Sequence, residues 1–194
     1  MFRDQVSDIS ISGSAVRDLL ANGSDMSDEG LQICERLKEI MMMCDREDPV
    51  YEQISSFSIA LYTIGYFDCP DLMSFQDVDA QEAAGILQED FTPVNTQDVP
   101  RDYHITQADD KYLLVIGDPL FPLHFAVLTD FRNERPYFSK LPLFGSGFDS
   151  LPELMEEFSG YDGVRQYDVH YFKKNPDSAS ASAMRKGRIY IVKD

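Results

Sequence analysis

Three histidines, His104, His124 and His170, are the residues of this chain best suited to acid–base or metal chemistry. All fall in or beside segments rich in β-branched and aromatic residues, so a sheet could gather them. Around His170, strand alternation puts Asp168, His170 and Phe172 on one face and Tyr167, Val169 and Tyr171 on the other. A carboxylate beside an imidazole could orient a general base or ligate a metal. No HxH, HExxH or HxxxH spacing accompanies them, so neither a metal nor an organic cofactor is expected. The expectation for each histidine is a structural or solvent-facing role.

Nucleophiles give little more. Gly145-Ser146-Gly147 lacks the GxSxG of a nucleophile elbow, and its GxG start fails GxGxxG because position 150 is Ser. These glycines read as hinges leading into a helix capped by Ser150. Cys34 and Cys44 fall in an apolar helical pattern that implies buried thiols, while acids beside Cys44 and Cys69 oppose thiolate formation. Three cysteines without CxxC spacing imply neither a disulfide framework nor a zinc knuckle.

Carboxylates are the abundant group. The chain has 194 residues, with 34 Asp or Glu against 17 Lys or Arg and a net charge of −17. No Lys or Arg occurs from Glu47 to Pro100. That stretch carries Glu47, Asp48, Glu52, Asp68, Asp71, Asp77, Asp79, Glu82, Glu89 and Asp90, the candidate partner-binding residues, and also Asp98. The DxDxDG order of a calcium loop is absent from it. Uncompensated charge of this density repels itself and steers basic partners into contact. Two blander readings compete: a solvated acidic face, or neutralisation by the chain's own Arg165, Lys173, Lys174, Arg185, Lys186, Arg188 and Lys193.

The elements that must position these groups change character along the chain. Residues 1–93 read as an acidic helical region. A short helix is expected at 14–21. Ser27 caps a longer one, with Ile33, Leu37, Ile40, Met41 and Cys44 at helical spacing. Asp48-Pro49 is expected to start another, running through Ile54, Phe57, Leu61 and Ile64 to Gly65. Asp79 and Glu82 form a capping-box pair for a third. Residues 94–194 read as a sheet region. Strands are expected at 103–106, 112–116, 125–129, 137–139, 167–172 and 188–192, with a helix at 150–159. Residues 175–186 read as a polar loop. Leu120, Phe121 and Leu123, and Phe131, Tyr137 and Phe138, fall in connections, where they either cover the core or anchor a partner.

The fold class implied is α+β: a helical amino-terminal part packed on an antiparallel sheet of about five to six strands, with one covering helix and one compact unit. At 43% hydrophobic residues the chain is not disordered, and the acid excess excludes ordinary nucleic-acid or anionic-membrane binding. The start of the chain lacks the apolar core of a signal peptide, and no run approaches the roughly 20 apolar residues of a membrane span. A cytoplasmic location is therefore expected. The expected function is a non-enzymatic inhibitor that blocks a basic or nucleic-acid-binding surface of a protein partner, in the manner of an immunity protein or a phage anti-defence inhibitor. The alternatives are a small enzyme using His170, Asp168 and His104 or His124, and a homo-oligomeric structural component.

Overall fold

The computed structural model describes residues 26–44, 46, 53–159 and 168–176. The expected elements at 14–21 and 188–192 lie outside the described residues, as do Glu47, Asp48 and Glu52.

Helix α1 spans Asp28–Met43, and the Ser27 hydroxyl accepts from the Gly30 N–H at 3.1 Å. Its apolar stripe, Ile33, Leu37 and Ile40, is fully buried. Gly30 is needed for a reason that periodicity does not reveal: a Cβ there would stand 2.1 Å from the Thr106 carbonyl oxygen. Helix α2, Ser56–Thr63, is buried from Phe57 to Thr63, as expected of a helix apolar on all sides. It does not extend back to Pro49. Residues 53–55 are not helical, and Ser55 is the cap, extended at φ −73° and ψ 157° with its side chain accepting from the Ser58 N–H. The Asp77 carboxylate holds it there by accepting from the Ser55 N–H at 3.0 Å and the Ser58 hydroxyl at 2.5 Å. Helix α3, Ala80–Asp90, begins with the expected Asp79/Glu82 capping box.

Among the described residues a six-stranded sheet follows, antiparallel throughout. In chain order its strands are β1 (Phe91–Val94), β2 (Tyr112–Asp118), β3 (Phe121–Leu128), β4 (Tyr137–Lys140), β5 (Ser146–Asp149) and β6 (Val169–Lys174), arranged β1-β6-β2-β3-β4-β5. Helix α4, Leu151–Phe158, precedes β6 and carries the expected Ser150/Glu153 capping box. The α+β class is therefore the one expected.

Three details differ from the sequence reading. Residues 103–106 are not a strand: the chain turns there, the Gln107 and Ala108 N–H groups both donate to the His104 carbonyl, and one isolated bridge joins His104 to Asp130. Gly147 is no hinge but lies inside β5, opposite Ser139. Strand β1 was not expected, because Pro93 argues against a ladder; it is an edge strand, where a missing N–H is tolerated. It also crosses the 93/94 boundary.

Alternation sorts the sheet's side chains. Leu113, Val115, Phe125, Val127 and Phe138 face α2, where the Phe57 and Phe125 rings meet edge to face at 4.8 Å. Leu114, Ile116, His124, Ala126 and Tyr137 face α4, whose Phe158 ring lies 4.8 Å from the His124 ring. One apolar cluster joins Ile33, Leu37, Leu61 and Ile86 of the helices to Leu113, Val115, Phe125 and Phe172 of the sheet.

Candidate acidic site

The acids cluster on the connection between α2 and α3, which is built on a buried frame. Leu72 is buried and its N–H donates to the Glu39 carboxylate at 2.9 Å. Tyr62 donates to the other Glu39 oxygen, Phe75 stacks on Phe67 at 4.3 Å, and Tyr62 stacks on Phe75 at 5.6 Å. Burial, together with the glutamate beside the Tyr62 hydroxyl, pushes that phenol's pKa up. From this frame Asp68, Asp71, Asp77 and Asp79 point into solvent. Met73 is 55% exposed among them.

Several of these acids have local work. Asp71 accepts from the Met73 N–H and the Ser74 hydroxyl, Asp77 holds the α2 cap, and Asp79 with Glu82 caps α3. Asp90 is half-buried and accepts from the Tyr66 hydroxyl at 2.5 Å. Asp68 and Glu89 are exposed. These bonds need carboxylate oxygens, not their charge, so the charge stays available to solvent or a partner. Asp68, Asp71, Asp77, Asp79, Glu89 and Asp98 enter no ion pair among the described residues.

Neutralisation among the described residues is local. Lys173 pairs with Asp110 at 2.9 Å, and that hydrogen bond raises its pKa. Lys174 sits opposite Phe91; burial lowers its pKa, and Glu29 and Asp90 oppose the fall. Arg36 lies 5.9 Å over the Tyr62 ring and acts electrostatically on Cys69. The other bases of the carboxy-terminal third, Arg165, Arg185, Lys186, Arg188 and Lys193, lie outside the described residues.

The histidines do not converge. Register pairs His124 with Ile116 and Ile116 with Val169, whereas His170 pairs with Val115, so His124 and His170 project from opposite faces of the sheet. Asp168 lies one residue before β6, where its carbonyl accepts from the Gly117 N–H at 2.8 Å. His104 bridges to Asp130, six positions beyond His124 and so about 20 Å along the strand direction. Burial lowers the pKa of His104 despite Asp130, and its Nδ1 lies 2.8 Å from the Thr106 hydroxyl. Among the described residues no group of three or more His, Cys, Asp or Glu is placed to hold a metal. All three cysteines are free thiols, and burial raises the pKa of Cys34 and Cys69.

A second polar feature escaped the sequence reading. On the α4 side of the sheet, Arg46 forms an ion pair with Asp149 of β5. Its guanidinium lies over Gly147, where an added Cβ would stand 2.8 Å from Nε. His124 and Ser139 share this face and are completely buried. His124 Nδ1 and Nε2, Ser139 Oγ and Arg46 Nε are buried without a hydrogen-bond partner among the described residues. Burial, then the charges of Arg46 and Lys140, drive the His124 pKa down to about 3. No motif could have revealed this group, since Arg46 and Asp149 are 103 residues apart.

The apolar connections split. Tyr137 and Phe138 are buried in β4 and Phe131 packs against the core, as covers would. Leu120, Phe121 and Leu123 are exposed at the β2–β3 turn, and Leu143 and Phe144 at the β4–β5 turn. With β3 and β4 antiparallel neighbours, both turns lie at the same end of the sheet.

No helix among the described residues is long and apolar enough to cross a membrane. The chain matches no protein-family model, and no curated protein and no solved structure is significantly similar to it.

Proposed function

We propose that this chain is a non-enzymatic acidic binding protein that occupies a basic or nucleic-acid-binding surface of a protein partner, as an immunity protein or a phage anti-defence inhibitor does. The observation that carries the reading is the α2–α3 connection, with exposed Asp68, Asp71, Asp77 and Asp79 outside every ion pair among the described residues. Because Asp71, Asp77 and Asp79 are tied to backbone or hydroxyl groups, little side-chain freedom is lost when a cation meets them. The exposed Met73 in their midst supplies the apolar anchor that a protein interface uses and a mere solubility surface does not need.

The test is capture of partners by the tagged protein from its host lysate at low and high salt, compared with an Asp68→Asn, Asp71→Asn variant. Asp77 and Asp79 are left intact because they cap helices. One dominant basic partner, lost in high salt and weakened in the variant, supports the reading. A partner indifferent to both changes overturns it.

A homo-oligomeric component is the second reading, favoured by Leu120, Phe121, Leu123, Leu143 and Phe144 exposed at one end of the sheet. Light scattering during gel filtration would then give a mass well above 22.1 kDa.

A further inference from the structure

From their placement on one patch of the sheet, we infer that His124, Ser139 and Arg46 form a binding site for a small carboxylate. The site is on the face covered by α4 and is independent of the acidic connection.

Its geometry follows from register. Ser139 in β4 is the partner of Gly147 in β5, and Val127↔Phe138 sets β4 against β3, so Ser139 lies between Gly147 and the strand that carries His124. His124 and Ser139 are then diagonal neighbours on one face, with Cα atoms about 7–8 Å apart. Gly147 has no side chain, and the Arg46 guanidinium occupies that place, 2.8 Å at Nε from where a Cβ would stand. Asp149, next on the same face of β5, takes Nη2 and leaves Nε.

Buried polar groups are nearly always hydrogen-bonded. Here neighbouring residues on one patch break that rule together: Arg46 Nε, Ser139 Oγ and both nitrogens of His124. Arg46 Nε–H, the Ser139 hydroxyl and one N–H of a neutral imidazole are three donors. They call for a ligand rich in acceptors. A carboxylate offers two oxygens in a plane and a single negative charge, and it can meet Arg46 through a charge-assisted bond. A phosphate dianion fits worse, because Asp149 already places a carboxylate beside the guanidinium. The Arg46 side chain is 29% exposed while Asp149 is 5% exposed, so Arg46 forms the solvent side of the site.

The experiment follows the His124 ring by NMR while formate or acetate is added to the full chain, with sodium chloride and inorganic phosphate as matched controls. The expected result is a saturable shift with the carboxylates, none with chloride, and a weaker response to phosphate. Ser139→Ala removes a hydroxyl that has no partner among the described residues; it is expected to fold and to weaken formate binding about ten-fold. A His124 signal that stays fixed, or moves equally with chloride, overturns the inference, and so does tighter binding of phosphate. The wild-type titrations decide the matter even if the variant does not fold.

Discussion

Arg46 and Gly147 share one volume: the guanidinium of the first fills the space over the second, where a Cβ would come within 2.8 Å of Nε and 2.9 Å of Cζ. Asp149 anchors the same guanidinium, so making room for a Cβ disturbs that ion pair. Gly147→Ala is expected to cost about 1–3 kcal/mol, the usual range for overpacking a filled site. Urea titration followed by circular dichroism measures it. An unchanged midpoint would mean that Arg46 is held elsewhere.

Gly85 gives the opposite sign. A Cβ there meets nothing within 4 Å, and the residue is inside α3. Gly85→Ala should stabilise the protein by about 1 kcal/mol, since alanine loses less backbone freedom in a helix. A rise in the thermal midpoint checks this, and a fall would contradict the open surroundings.

Acid should weaken the fold through His124. Its pKa is down to about 3 in the folded protein and near 6.5 when unfolded. Between those values the unfolded chain binds a proton that the native chain refuses, so stability is highest above about pH 6.5 and falls as pH drops. The slope from this residue is about 1.4 kcal/mol per pH unit. Burial lowers the His104 pKa too and adds in the same direction. His124→Leu removes the buried titrating group and two unpartnered nitrogens. It should flatten the slope while leaving neutral-pH stability unchanged or higher. Denaturant titrations at several pH values distinguish the two proteins, and equal slopes would refute the assignment.

Asp77 and Asp68 should separate folding from binding. Asp77 accepts from the Ser55 N–H and the Ser58 hydroxyl at the start of α2. Asp77→Ala is expected to cost about 1–2 kcal/mol as a lost cap-supporting acceptor. Asp68→Asn, on an exposed side chain, should stay within about 0.5 kcal/mol. Thermal melts of both variants, beside partner capture, tell whether a loss of binding is a loss of charge or of structure.

Much of the fold was legible in local chemistry. Ser27, Asp79 and Ser150 are caps as their spacing implies, because a cap acts on an N–H only two or three residues away. The strong apolar runs of β2 and β3, joined through Gly117-Asp118-Pro119, pointed to an antiparallel pair, and the glycine at 117, with φ 95°, lies where that hairpin shifts register. The acidic stretch was equally plain. Local reasoning missed the break at residues 53–55, because the group that sets where α2 begins is distant: the Asp77 carboxylate, 22 residues along the chain, accepts from the N–H of the Ser55 cap.

By itself, then, the sequence determined the class of fold, most of its helices and strands, and the excess of acid from Asp68 to Asp98, all of which depend on residue type and on contacts within a turn or a strand. Tertiary structure alone decided that β6 inserts between β1 and β2, and that His124 and His170 occupy opposite faces. It also placed Arg46 beside Asp149 and over Gly147. The reason is register: side chains alternate with a period of two, so the face a residue occupies, and the neighbours it meets there, are set by pairings between strands far apart in the chain.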